Sequence, residues 1–163
     1  MPSQVKPIPE GYCAVTPFLM VHDAKAAIAF YQRAFGAKEV LRMEGPGGKI
    51  AHAELKIADG KIMLADETPQ AGMKSPRSVG ATTASIFVYV QDVDSAFNQA
   101  AAAGAHVDTP PADMFWGDRY GRLTDPFGHI WSLATHKEDV SREEMERRGR
   151  EAMAKAPQTH TAS

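Results

Sequence analysis

The chain has 163 residues, of which 44% are hydrophobic and 23% are charged, and its formal net charge is −2. This composition predicts one folded domain, or two small halves that share a core, and it excludes a disordered chain. The near-neutral charge argues against nucleic-acid or membrane binding through bulk charge. The single cysteine, Cys13, excludes an internal disulfide and a multi-cysteine metal site. Because no secretory signal pattern and no apolar run of ~20 residues is present, we expect a cytoplasmic protein.

The first half of the chain reads as a strand, a helix and three strands. The segment VTPFLMV (15–21) is strand-like, and apolar residues at helical spacing follow Asp23. Asp23 is predicted to cap this helix and Gly36 to end it. Three strand-like segments follow, the last two joined by a hairpin turn: KEVLRME (38–44), KIAHAELKI (49–57) and KIMLADE (61–67).

The second half repeats this order after a linker. Residues 68–83 are rich in Gly, Pro, Ser and Thr and are predicted to join the halves. A strand at 85–90, a helix capped by Asp92, a strand (HVDT), a loop (PPADMF) and a strand pair around DPFG follow. Two β-α-β-β-β units, each with a half-buried sheet, would pair so that each covers the exposed sheet of the other. Two unrelated β-α pieces are the alternative.

The last part of the chain, residues 138–163, has a different composition. Ser141 and Glu144 have the spacing of a capping box, and the segment that follows is mostly charged. We expect an exposed helix that rests on the domain or on a partner, followed by a loose end.

Three segments together resemble one known family: VTPFLMVHDAKAAIAFYQRAFGAKEV, HAELKIADGKIMLADE and WGDRYGRLTDPFGHIWSL. They are similar to the vicinal oxygen chelate superfamily, and within it to the PhnB-like branch of the glyoxalase/bleomycin-resistance group, over roughly residues 12–137. The resemblance implies an α+β fold of paired βαβββ modules, at about 12–67 and 84–137. Their curved half-barrel sheets would surround a cavity, with helices outside. It also implies a homodimer with pockets near the subunit interface.

Metal-dependent members of that family carry four ligands, His or Gln and Glu, on the inner faces of the sheets. By strand position, the corresponding sites fall near Thr16, Met63, Ser85 and Ser132. A divalent metal needs several imidazoles or carboxylates within ~2.0–2.6 Å, and hydroxyl and thioether groups are poor substitutes. We therefore expect no metal cofactor at these four positions.

His52 and Glu54 are the first candidates for chemistry. Strand alternation predicts that one face, toward the cavity, carries Ile50, His52, Glu54 and Lys56. The other face, with Ala51, Ala53, Leu55 and Ile57, would meet the helices. The imidazole and carboxylate could bind a substrate, act as base and orienting group, or ligate a metal atypically. A hydrogen-bonded pair without catalytic function is the alternative.

The segment WGDRYGR holds the second group of candidates. Alternation places Trp116, Asp118, Tyr120 and Arg122 on one face. Aromatic walls and an arginine suit a flat or anionic organic ligand, although a structural network with Asp118 paired to an arginine explains them equally. Phe18, Phe87 and Tyr89 are further candidates to line this pocket.

The remaining motifs are predicted to be structural. Asp125 begins a DPFG turn, and His129 and His136 fall on opposite sheet faces, so they do not form a pair. The sequence contains no GxGxxG, P-loop, GxSxG or HExxH motif.

Three functional hypotheses follow from the residues and the resemblance. The favoured one is a cofactor-free protein that holds a small organic molecule in a dimer cavity. The second is a metal-dependent lyase or isomerase, thiol transferase or dioxygenase of the same superfamily, with His52 and Glu54 as ligands. The third is a metal-free enzyme with His52 as its base.

Overall fold

The structure, a computed structural model, describes residues 5–155 as two βαβββ units joined by a linker. The first unit contains β1 (Phe18–Val21), α1 (Ala24–Phe35), β2 (Lys38–Glu44), β3 (Ile50–Ile57) and β4 (Gly60–Asp66). The linker contains the short helix α2 (Pro76–Val79). The second unit contains β5 (Ser85–Tyr89), α3 (Val93–Ala103), β6 (His106–Asp113), β7 (Asp118–Thr124) and β8 (Ile130–His136), and α4 (Arg142–Lys155) follows.

Each unit forms one four-stranded mixed sheet. The strand orders are β1-β4-β3-β2 and β5-β8-β7-β6, so the two sheets have the same topology. In both sheets the first and last strands of the unit pair in parallel, and the other pairs are antiparallel. The predicted α+β fold of paired βαβββ modules is confirmed, and neither sheet closes into a barrel.

The helix boundaries follow the predicted caps. The Asp23 side chain accepts a hydrogen bond from the Ala26 backbone N–H at 3.0 Å, and the Asp92 side chain accepts one from Ser95 at 3.1 Å. The Ser141 hydroxyl accepts one from the Glu144 N–H at 3.2 Å, at the start of α4. The predicted loose end of the chain lies outside the described residues.

Helices α1 and α3 pack against each other and cover one face of each sheet. The core between them is apolar, and its largest fully buried side chains include Ile28, Phe30, Tyr31, Leu55, Leu64, Leu123, Trp131 and Leu133. Neither α1 nor α3 covers the opposite face of each sheet, which we name the helix-free face, and the candidate site residues lie there. No helix within residues 5–155 is long and apolar enough to cross a membrane.

One buried carboxylate joins the two units. Asp125 accepts hydrogen bonds from the Tyr31 hydroxyl at 2.7 Å, the Trp131 indole N–H at 2.8 Å and two backbone N–H groups of its own turn. Burial, followed by the neighbouring charge of Asp125, raises the pKa of Tyr31 well above its ordinary value. His129 also contacts the first unit, through Nε2 at 2.9 Å from the Met20 carbonyl oxygen. The DPFG segment is therefore a turn, as predicted, and also an anchor between the units.

Three local expectations were wrong. Strand β1 begins at Phe18, so Thr16 precedes it. Strand β6 continues through both prolines to Asp113 where a loop was predicted, because an edge strand tolerates residues without a ladder N–H. Ile50 is fully buried in the core, away from the His52 face, because the β2–β3 register shifts beside it and breaks the alternation.

Candidate functional site

All predicted ligand-binding residues except Arg122 fall into two clusters, one on the helix-free face of each sheet. We name the first the Glu54 cluster, with Tyr12, Phe18, His52, Glu54 and Lys61. We name the second the aromatic face, with Phe87, Tyr89, Trp116, Asp118 and Tyr120.

The Glu54 cluster is built around a nearly buried carboxylate, which is 7% exposed. Glu54 accepts a hydrogen bond from the Tyr12 hydroxyl, and its Oε1 lies 3.2 Å from His52 Nε2. The hydrogen bond from Tyr12, followed by that from His52, lowers the pKa of Glu54, although burial opposes this. Glu54 is therefore a charged acceptor at neutral pH, and it is suited to orient His52 more than to take a proton.

Apolar and thioether side chains surround this carboxylate. The cross-strand neighbours of Glu54 are Leu41 and Met63, and that of His52 is Met43. The Phe18 ring meets the His52 ring edge-on, with 5.5 Å between centroids. His52 is thus held on two sides, by a ring and by a carboxylate.

Tyr12 was missed by the sequence analysis. It lies in the segment before β1, and 42 residues separate it from Glu54, so no local spacing indicates the contact. Its ring also lies under the Lys61 ammonium, with 3.4 Å from Nζ to the centroid. The hydrogen bond to Glu54 raises the pKa of Tyr12.

The aromatic face is a row of rings on strands β5 and β7. Phe87 and Tyr120 stack with 5.8 Å between centroids and 23° between planes, and Tyr89 lies 5.1 Å from Phe87. Trp116 meets Tyr120 edge-on at 5.8 Å. Phe87 and Tyr89 are 47% and 56% exposed, which is unusual for large rings in contact with one another. Three of the four residues predicted to share a face, Trp116, Asp118 and Tyr120, lie together here, whereas the fourth, Arg122, lies 3.7 Å from Asp108.

Asp118 lies beneath these rings and is 3% exposed. It accepts hydrogen bonds from the Tyr89 hydroxyl at 3.0 Å, the Trp116 indole N–H at 3.1 Å and His136 Nδ1 at 2.8 Å. The bond to Asp118 raises the pKa of Tyr89. The expected arginine partner of Asp118 is not observed, because Arg122 lies 3.7 Å from Asp108 and Arg119 binds elsewhere. His136 is the partner of Asp118 instead. The pairing of β7 with β8 brings the two residues together, and the alternation along a single strand does not reveal that pairing.

The four positions that correspond to family metal ligands do not offer a metal-binding donor set. Met63 is the cross-strand partner of Phe18, and Ser132 is the partner of Phe87, so these two positions are equivalent in the two sheets. The Ser132 hydroxyl is 3.1 Å from the Tyr120 hydroxyl, and that of Thr16 donates to the Cys13 carbonyl. Within residues 5–155, no three His, Cys, Asp or Glu side chains are placed to hold a metal ion. The residues present do not fit a divalent cation at the family position.

Two cavities border the aromatic face. One, of about 390 Å³, lies between the units and is lined by Thr16 and Lys61 on one side and by Phe87 and Tyr89 on the other. The second, of about 270 Å³, contains mainly hydroxyl groups around Arg122 and Ser132. Both cavities are open to solvent, and the exposed rings lie along the edge of the larger one.

The fold agrees with comparisons to known proteins. A model of the Glyoxalase/Bleomycin resistance protein/Dioxygenase superfamily matches residues 12–133. The chain belongs to this superfamily. It is 47% identical over 136 residues to an uncharacterized protein of Mycobacterium tuberculosis H37Rv, covering 82% of this chain and 80% of that protein. It is also 28% identical over 145 residues to Escherichia coli protein YjdN, covering 76% and 96%.

Solved structures of other proteins share the fold. TioX from Micromonospora sp. ML1 is 29% identical, with a TM-score of 0.60, covering 76% of this chain and 98% of that chain. A PhnB protein from Bacillus cereus is 21% identical, with a TM-score of 0.58, covering 76% and 99%. The fosfomycin resistance protein FosX of Listeria monocytogenes, solved with Mn(II) and sulfate, is 21% identical, with a TM-score of 0.58, covering 84% and 97%. The predicted superfamily is confirmed, and a PhnB protein is among the solved structures that share its fold.

Proposed function

We propose that this member of the glyoxalase/bleomycin-resistance superfamily is a metal-free binding protein for a small organic ligand. The ligand would lie on the aromatic face, in a cavity that a second copy of the chain completes. The observation that carries the proposal is the row of exposed rings on β5 and β7. Stacked rings with one free side offer a flat ligand both apolar area and favourable ring contacts.

The polar groups of this face support binding more than bond cleavage. Asp118 already receives three hydrogen bonds, and the Ser132 hydroxyl is paired with that of Tyr120. These groups fix the rings in place, because each bond ties a side chain of the row to the sheet. A preorganised surface of this kind loses little entropy when a ligand binds.

The exposure of both helix-free faces supports a homodimer. Large apolar side chains on these faces are 42% to 56% exposed: Phe18, Leu41, Met43, Phe87 and Tyr89. Contiguous apolar patches of this kind mark ligand or protein interfaces. A partner subunit would supply the opposite wall of the pocket and bury these side chains.

A metal-free enzyme is the second candidate, and the Glu54 cluster favours it. Glu54 is ionised and holds His52 through Nε2, which leaves Nδ1 as the atom that could accept a proton. The metal-dependent alternative would need ligands from this same pair, because the family positions near Met63 and Ser132 lack them. The three functions therefore differ in what His52 does.

Metal analysis and turnover assays separate the three functions. Metal content is measured on tag-free protein by mass spectrometry, with and without added Ni²⁺, Zn²⁺, Mn²⁺ and Fe²⁺. We expect no stoichiometric metal and no metal-dependent gain in thermal stability. About one tightly held ion per chain, removed by His52→Ala, would refute the proposal in favour of a metal enzyme. Turnover that survives a chelator but is lost in His52→Ala would support the metal-free enzyme instead.

Ligand binding itself is tested with a neutral aromatic probe, 2-naphthamide, by titration calorimetry. Phe87→Ala should weaken binding by about three- to tenfold, because one stacking partner is lost. Val79→Ala is the matched control, since it shortens a similarly exposed apolar side chain in the linker. Equal affinities in the two variants, or no binding to the wild type, would refute the aromatic face as the ligand site.

A further inference from the structure

His136 has two carboxylate partners of very different exposure. Its Nδ1 lies 2.8 Å from Oδ1 of buried Asp118, its direct cross-strand partner. Its Nε2 lies 3.0 Å from Oδ1 of Asp139, whose side chain is fully exposed. The imidazole is about half exposed. The inner bond is therefore protected from solvent, whereas water or solutes can reach the outer one.

The charge balance of this site favours a protonated imidazole. The other two groups that donate to Asp118, the Tyr89 hydroxyl and the Trp116 indole, are neutral. No lysine or arginine among residues 5–155 forms an ion pair with Asp118, so His136 alone offsets the buried negative charge. The hydrogen bonds to Asp139 and then to Asp118 raise the pKa of His136. In the protonated imidazole both ring nitrogens donate, Nδ1 to Asp118 and Nε2 to Asp139.

The outer nitrogen lies beside the aromatic face. Tyr89 and Tyr120 are both cross-strand partners of Ala134, and His136 is two residues further along β8 on the same face. Two residues of a strand span about 6.6 Å, which is the scale of a fused ring with one attached acid group. A ligand that stacks on the rings can therefore place its acid group at Nε2.

We propose that His136 binds the carboxylate of an aromatic organic acid, and that Asp139 occupies this position when no ligand is bound. The inference rests on the proposed function, because the aromatic face must hold the ring. Asp118 is a positioning residue, since it fixes the ring of His136 and its tautomer. The ligand carboxylate can displace the Asp139 side chain from Nε2 at little cost in free energy. An ion pair with a fully exposed carboxylate contributes little free energy in water.

The test compares two probes of the same shape, 2-naphthoate and neutral 2-naphthamide, by titration calorimetry at pH 6. The wild type should bind the naphthoate about tenfold more tightly, as a charge-assisted hydrogen bond is stronger than a neutral one. In His136→Gln the preference for the naphthoate should be lost, so that the two affinities become equal. His106→Gln is the matched control, because His106 is an exposed histidine that lies 3.9 Å from Asp108. It should leave the tenfold preference intact.

A second variant keeps the test decisive if His136→Gln does not fold. Asp139→Asn removes the internal competitor and should tighten naphthoate binding several-fold without changing naphthamide binding. Equal affinity of the wild type for both probes would overturn this inference and leave the proposed function intact. No binding of either probe would overturn both. A naphthoate preference that persists in His136→Gln would assign the anion site to another group and also overturn the inference.

Discussion

A glycine on the loop before β7 positions the segment that carries Asp139, and its replacement gives a sharp test of the structure. Gly117 has φ +99°, and its carbonyl oxygen accepts hydrogen bonds from the N–H groups of Lys137 at 2.9 Å and Glu138 at 3.0 Å. A Cβ at Gly117 would lie 2.2 Å from the Glu138 carbonyl oxygen. Because that oxygen is backbone, no side-chain rotation relieves the overlap.

The expected cost of Gly117→Ala has two parts. The left-handed backbone conformation costs an alanine about 1–2 kcal/mol. In addition, the segment after β8 must retreat by about 0.8 Å to reach even 3.0 Å, which weakens two backbone hydrogen bonds. At about 0.5–1.5 kcal/mol each, their loss brings the total to about 2–5 kcal/mol of unfolding free energy.

Gly80→Ala separates the two parts. Gly80 has φ +77°, and no heavy atom lies within 4 Å of a Cβ placed there. It should therefore lose only the backbone part, about 1–2 kcal/mol. Urea unfolding of both variants gives the free energies, and equal losses would refute the close approach of residue 138 to Gly117. Gly117→Ala should also reduce the preference for naphthoate, since His136 and Asp139 flank the displaced residues.

Three further predictions follow from individual hydrogen bonds. Tyr31→Phe removes one bond to Asp125 and should lower the unfolding free energy by about 1–1.5 kcal/mol, measured by urea denaturation; no loss would contradict the anchoring role. Hydrogen bonds from two linker serines lower the pKa of Glu67 from 4.5 to about 2, so its stabilising contribution is full above pH 4.5 and is lost toward pH 2. Glu67→Gln should make the melting temperature less dependent on pH over that range. An unchanged pH dependence would refute the role of Glu67. The pKa of His136 is raised, so its contribution to stability is full below its unfolded-state pKa and is lost as pH rises through the folded-state pKa. Asp139→Asn should lower the pKa of His136, measured by NMR titration. An unchanged pKa would contradict the hydrogen bond between His136 and Asp139.

The parts of the fold that depend on local chemistry could be predicted from the sequence. Both long helices begin at an aspartate cap and end at a glycine, and their apolar spacing is regular. The duplicated order of elements then indicated two sheets of the same topology. Residue spacing along one strand predicted the wrong sheet face where the pairing with the neighbouring strand shifts register. The register shift opposite Ile50 reverses which face that residue takes, and only the β2–β3 pairing reveals it.

The candidate site could be predicted in part, for the same reason. The alternation along one strand grouped Trp116, Asp118 and Tyr120, which the contacts of the structure also bring together. It could not find Tyr12 or His136, because each contacts its carboxylate from a different segment of the chain. Both missed residues donate to acids that were already candidates. A buried acid needs hydrogen-bond donors, so each of these acids indicated that donors come from other segments of the chain.

The contacts of the two buried carboxylates support the proposed binding surface more than a metal centre. Asp118 and Glu54 are both acceptors whose lone pairs are engaged by tyrosine, histidine or indole groups. A metal ion would have to displace these donors and would be repelled by an imidazolium at His136. The outer sides of Phe87 and Tyr89, by contrast, are free, and no bond must break before a second ring stacks there. Recognition of a flat ligand therefore needs no rearrangement of this face, whereas metal binding would dismantle the network that holds the rings in place.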